Sequence, residues 1–105
     1  MASKATLIMT KQTPQPSIEE QQKLLNLYNQ GIVHESIKST EDFVSNFPNH
    51  VFGWKILSGL MLSLGRTHEA LDAAIKAINI QPDDKNAISN LTTIYKELGL
   101  QYQKK

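Results

Sequence analysis

The chain has 105 residues, enough for one small domain with a modest core, and its 11 basic against 10 acidic side chains leave a formal net charge of +1. That balance, without a basic stripe or interleaved aromatics, argues against nucleic acid as a partner. The absence of cysteine excludes disulfides, thiol nucleophiles and cysteine metal sites, and no apolar run is long enough to span a membrane.

Residues 1–16 show no helical period and end in a proline pair, Pro14 and Pro16, so an irregular lead-in is expected there. Its apolar run, Ala5 to Met9, is too short for the core of a signal peptide, and the chain reads as soluble and cytoplasmic. A helix is predicted to begin at Ser17-Ile-Glu-Glu20, a capping box in which the serine oxygen accepts from free amides and Glu20 reaches back. Leu24, Leu27 and Tyr28 form its stripe, with Leu25 alongside, and Gly31 closes it. A second helix follows over about His34 to Asn46.

Val51 to Leu64 places Trp54, Leu57, Leu60, Met61 and Leu64 at helical spacing, and Gly65 ends that helix. The fourth helix runs from about Thr67 to Ile80, with Ala70, Ala74 and Ala77 on a close-packing face and Leu71, Ile75 and Ile78 beside it, until Pro82 stops it. Asp83 and Asp84 then offer capping oxygens to a fifth helix, about Asn86 to Leu98, whose apolar positions are Ile88, Leu91, Ile94, Tyr95 and Leu98; Gly99 is expected to end it.

Gly31, Gly65 and Gly99 stand 34 positions apart, as do Pro48 and Pro82. A helix pair recurring at that period, with Trp54, Leu57, Ser58, Met61, Gly65, Ala70, Ala74, Ala77 and Pro82 in a common register, resembles the tetratricopeptide repeat family, in the form of a short bacterial-type block. The resemblance implies an all-α fold: a right-handed superhelical stack of antiparallel helix pairs, a solenoid of about five helices. A repeat domain would then occupy residues 17–105, with repeats at about 17–50 and 51–84 and a partial one at 85–105. Phe43 departs from the pattern, since the family places a small residue there, and Thr40 stands where bulk is usual; an exchange of volume between the two is expected.

Members of that family bind peptides on the concave side, built mainly by the first helix of each pair. Matched by position, the candidates here are Phe52, Lys55, Gly59 and Leu62 in the second repeat and Asn86, Ser89, Asn90, Thr93 and Lys96 in the third. Asn90 matches an asparagine that bonds a ligand's main chain in family members, and Lys55 and Lys96 suit a carboxylate. A carboxylate clamp of the kind some members use fits poorly, because Gly59 stands at one of its asparagine places. Binding of a chaperone tail is therefore not expected.

The partial third repeat leaves one side of the last helix without a following partner. Ile88, Tyr95 and Leu98 are accordingly candidates for self-association into a homodimer. His34 and His68 lie one repeat apart and lack the spacing of a helical metal pair, and His50 has no evident role. No glycine-rich phosphate loop or nucleophile-base grouping is present, so neither an enzyme nor a cofactor is expected. The leading expectation is a module that docks a protein or peptide partner. The alternatives are an auxiliary domain of a larger, transferase-like enzyme and a self-associating structural unit.

Overall fold

The computed structural model describes residues 15–103, with side chains described through Leu100. The expected lead-in over residues 1–16 therefore lies mostly outside the described residues. Five helices follow one another: α1 (Ile18–Asn29), α2 (Val33–Asn46), α3 (Val51–Ser63), α4 (Thr67–Ile80) and α5 (Lys85–Gln103). The protein is an all-α stack in which each helix packs on the next.

Local chemistry sets each boundary. The capping box at Ser17 forms in full: the Glu20 amide donates to Ser17 Oγ at 3.0 Å, and the Ser17 amide donates to Glu20 Oε1 at 2.9 Å. Gly31 and Gly65 adopt φ of 71° and 76°, the left-handed turn that L side chains disfavour. Around Gly65 the amide of Arg66 donates to Met61 O and that of Gly65 to Leu62 O, and the same pair of bonds surrounds Gly31. Both helices thus end in a double-bonded turn that satisfies two otherwise orphaned carbonyls.

The third glycine behaves differently. Gly99 was expected to close α5, but the helix runs through it to Gln103 and Gly99 does not take positive φ. After Gly31 and Gly65 a helix folds back and buries a face against its predecessor. Among the described residues α5 is not followed by such a helix. A glycine inside a helix costs only about 1 kcal/mol, less than leaving an unpacked turn.

The core runs along the stack. Leu24, Phe43, Ile56, Leu60, Met61, Ala70, Ala74 and Ile94 form its continuous cluster. Ala70, Ala74 and Ala77 are fully buried, as the small face of α4 requires for close approach to α3 and α5. Two expected core positions are not core: Leu64 and Ile75 are exposed, while Ile56 and Ala87, outside the expected stripes, are buried. Leu64 is the residue that caps the C-terminal end of α3. Trp54 is half-buried, and its indole N–H donates to Pro48 O at 2.8 Å, the edge partner a partly buried indole needs.

The pairing also gives the stack a curvature. Alternate helices on one side approach closely, α1 with α3 and α3 with α5, whereas among the described residues the backbones of α2 and α4 stay further apart. The first helix of each pair therefore lies on the inside of the bend.

Candidate functional site: an inner groove across three helices

A cleft of about 380 Å3 lies on this inner side, lined by Leu25 and Tyr28 of α1, Phe52, Lys55 and Ile56 of α3, and Asn86, Ser89 and Asn90 of α5. Each side chain is placed by helical periodicity. Residues at steps of three and four share a face, so Phe52, Lys55 and Ile56 point one way from α3, as do Asn86, Ser89 and Asn90 from α5. The result has two unlike walls. Leu25, Tyr28, Phe52 and Ile56 are apolar or aromatic, whereas α5 offers amides and a hydroxyl.

A glycine lets the apolar wall close up. A Cβ on Gly59 would stand 2.8 Å from Tyr28 Oη, so the tyrosine reaches over α3 only because that position carries no side chain. Phe52 is half-buried and its ring lies 5.8 Å from that of buried Phe43, which anchors it from behind.

At the floor of the groove, Lys55 Nζ donates to Asp84 Oδ2 at 3.0 Å, and the two side chains are 18% and 11% exposed. The other Asp84 oxygen, Oδ1, accepts from the Ala87 amide at 3.0 Å and so caps α5. Desolvation acts to raise the Asp84 carboxyl, but the Ala87 amide and the Lys55 ammonium outweigh it and hold it below the ordinary carboxylate value. Asn90 spans α5 and α3: its Nδ2 donates to Ser58 Oγ at 2.8 Å and to Lys55 O at 3.3 Å. Ser58 itself is fully buried.

Of the nine expected concave-side residues, the groove brings together Phe52, Lys55, Asn86, Ser89 and Asn90, while Leu62 packs against the core cluster. Thr93 and Lys96 continue the same stripe of α5 beyond it, both exposed, with Thr93 Oγ1 donating to Ser89 O at 3.1 Å. Ser89 lines the groove, and Gly59 acts through Tyr28. Sequence reasoning placed Leu25 and Tyr28 only in the packing stripe of α1. Their places one period before Gly59 and Leu62, both candidates for the concave side, were the signal that could have found them.

The expected self-association residues separate. Ile88 and Tyr95 are 44% and 57% exposed, while Leu98 is half-buried and packs on the core cluster. Leu100 joins the exposed apolar side chains of α5, and the side chain of Tyr102 lies outside those described.

His50 has a structural function that its loop position concealed. Its Nδ1 accepts from the Phe52 amide at 3.3 Å and caps α3, at the place that Asp84 occupies one period later. Among the described residues no group of three or more His, Asp or Glu side chains is placed to hold a metal ion, and no helix is long and apolar enough to cross a membrane.

The chain is similar to two proteins named Hsp70-Hsp90 organising protein, one from Plasmodium falciparum and one from its isolate 3D7. Each is 41% identical over 70 residues, which cover 62% of this chain. The chain spans only 27% and 12% of the lengths of these relatives. No family model matches it. No solved structure matches it significantly either.

Proposed function

We propose that the chain is a tetratricopeptide-type interaction module of the cytoplasm that docks a segment of a partner protein in the inner groove. The observation that carries this reading is the cleft of about 380 Å3, where three helices that are far apart in sequence converge Tyr28, Phe52, Lys55, Asn86 and Asn90 on one open space. Its size is at the lower end of ligand sites and suits one or two side chains of an extended segment. An apolar wall supplies affinity through buried area, and the opposite wall supplies hydrogen bonds for a main chain. Because Asn90 Nδ2 is already engaged with Ser58 and Lys55, its Oδ1 is the atom that accepts a segment's N–H. Thr93 and Lys96 extend the contact along α5. The relatives' name, Hsp70-Hsp90 organising protein, supports an interaction role in general.

The blocking variant Ser89→Trp tests this. Ser89 is exposed on the groove wall, so a tryptophan there fills the space without removing core packing. A peptide selected from a random library against the wild-type chain should lose most of its affinity for Ser89→Trp. Unchanged affinity would place the docking surface elsewhere.

A second reading has its own observation. Ile88 and Tyr95 stand seven residues apart on one side of α5 and are 44% and 57% exposed, with no later helix covering them among the described residues. In this reading two copies pair through α5.

A further inference from the structure

The cation of the groove is already paired. Among the described residues Lys55 is the sole charged one lining it, and its ammonium is held 3.0 Å from Asp84 Oδ2 with both side chains largely shielded from water. The Asp84 carboxylate is fixed at both ends, since Oδ1 takes the Ala87 amide while Oδ2 takes Lys55. It cannot swing aside to release Lys55 without uncapping α5. A carboxylate from a ligand would find its place beside Lys55 already filled, and would meet a like charge at short range in a poorly solvated corner. An apolar side chain meets no such obstacle, because Leu25, Tyr28, Phe52 and Ile56 form a continuous wall beside the ion pair.

We propose that Asp84 is a specificity-determining residue: it serves as a built-in carboxylate for Lys55, so that the groove takes an uncharged, extended protein segment carrying one large apolar side chain and discriminates against carboxylates. The apolar side chain sits between Tyr28, Phe52 and Ile56, and the segment's main chain runs along Asn86, Ser89 and Asn90. This rests on the inner groove being the docking site, and it adds which chemistry the groove accepts. It also gives the one-period relation between His50 and Asp84 a functional content. Both cap the first helix of a pair, but only the aspartate carries the charge that cancels Lys55.

Two synthetic peptides and two variants test the proposal. The peptides are acetyl-Gly-Ser-Phe-Ser-Gly-amide, which is neutral, and acetyl-Gly-Ser-Phe as its free acid; binding is followed by amide chemical shifts of the labelled protein. The wild-type chain should bind the neutral peptide more tightly than the acid by about threefold or more, with shifts at groove residues. Asp84→Asn keeps an oxygen for the Ala87 amide while releasing Lys55, and should raise affinity for the acid by roughly tenfold. Asp84→Ser, also a good cap, should do the same if the asparagine variant folds poorly. A wild-type chain that favours the acid, or that responds to neither peptide, overturns the proposal, as do folded Asp84 variants with no gained affinity for the acid. If shifts map to the groove but the acid is favoured, only the part assigned to Asp84 fails. If shifts map outside it, the docking site itself is wrong.

Discussion

Phe43 of α2 packs into the space left by the missing side chain of Gly53 on α3. A Cβ there would lie 2.6 Å from Phe43 Cδ1 and 2.8 Å from Val44 Cγ1, both on buried residues. The bulk that Phe43 brings to a position expected to be small is therefore accommodated across the helix interface. Thr40, the other member of the expected exchange, is fully buried on the same helix.

Substituting that glycine should be costly. Gly53→Ala gains up to about 1 kcal/mol of helix propensity, but the overpacking it forces costs about 1–3 kcal/mol. We expect a net loss of about 1 kcal/mol, read from urea unfolding by the fluorescence of Trp54. Gly59→Ala should differ in sign. Its added methyl meets only the hydroxyl end of Tyr28, which can move, so stability should be unchanged or rise by up to about 1 kcal/mol. Equal losses from both substitutions would refute this account of the two glycines.

Two buried hydroxyls on α2, Ser36 Oγ and Thr40 Oγ1, have no hydrogen-bond partner among the described residues. A buried polar group left unpaired costs about 1–3 kcal/mol, so the near-isosteric change Thr40→Val should stabilise the fold by about 1 kcal/mol. Ser36→Ala should act in the same direction and also improve helix propensity. Loss of stability in both variants would indicate that the hydroxyls are satisfied in solution.

Stability should weaken on mild acidification because of His50. Burial pushes its imidazole below the ordinary value of 6.5, and the nearby Lys55 ammonium adds to this. A histidine with a lowered folded-state value is protonated more readily when unfolded. Its contribution is therefore intact above pH 6.5 and is lost as pH falls below it, towards the folded value. Protonation also removes the lone pair that caps α3. The variant His50→Asn, which caps without titrating, should remove the part of the stability slope seen between neutral pH and the onset of carboxylate protonation. An undiminished slope in that variant would assign it to another group.

The α5 surface gives a separate expectation. If two copies pair there, Tyr95→Lys should shift sedimentation equilibrium to the monomer without reducing helicity, since Tyr95 is 57% exposed and contributes little to the fold. A dimer that persists in Tyr95→Lys excludes this face as its contact.

The fold was legible wherever one local signal sufficed. The 34-residue spacing of glycines and prolines, the capping box at Ser17 and the small face of Ala70, Ala74 and Ala77 each depend on residues within a turn or a period. Gly99 was misread because a glycine permits a turn but does not require one; the packing that follows decides. Five of the eight groove residues, Phe52, Lys55, Asn86, Ser89 and Asn90, were legible through the family resemblance. The state of Lys55 was not, since its partner Asp84 lies 29 residues away and meets it only when α5 has docked on α3. The fit of Phe43 to Gly53 was hidden for the same reason: each looked like a local irregularity until the two helices were placed together.

The most direct test of the central claim is amide chemical-shift mapping of the labelled chain with a peptide selected from a random library. The largest changes should fall on Leu25, Tyr28, Phe52, Ile56, Asn86, Ser89 and Asn90, and Ser89→Trp should abolish them. Changes centred on Ile88 and Tyr95, or on the outer helices α2 and α4, would contradict it.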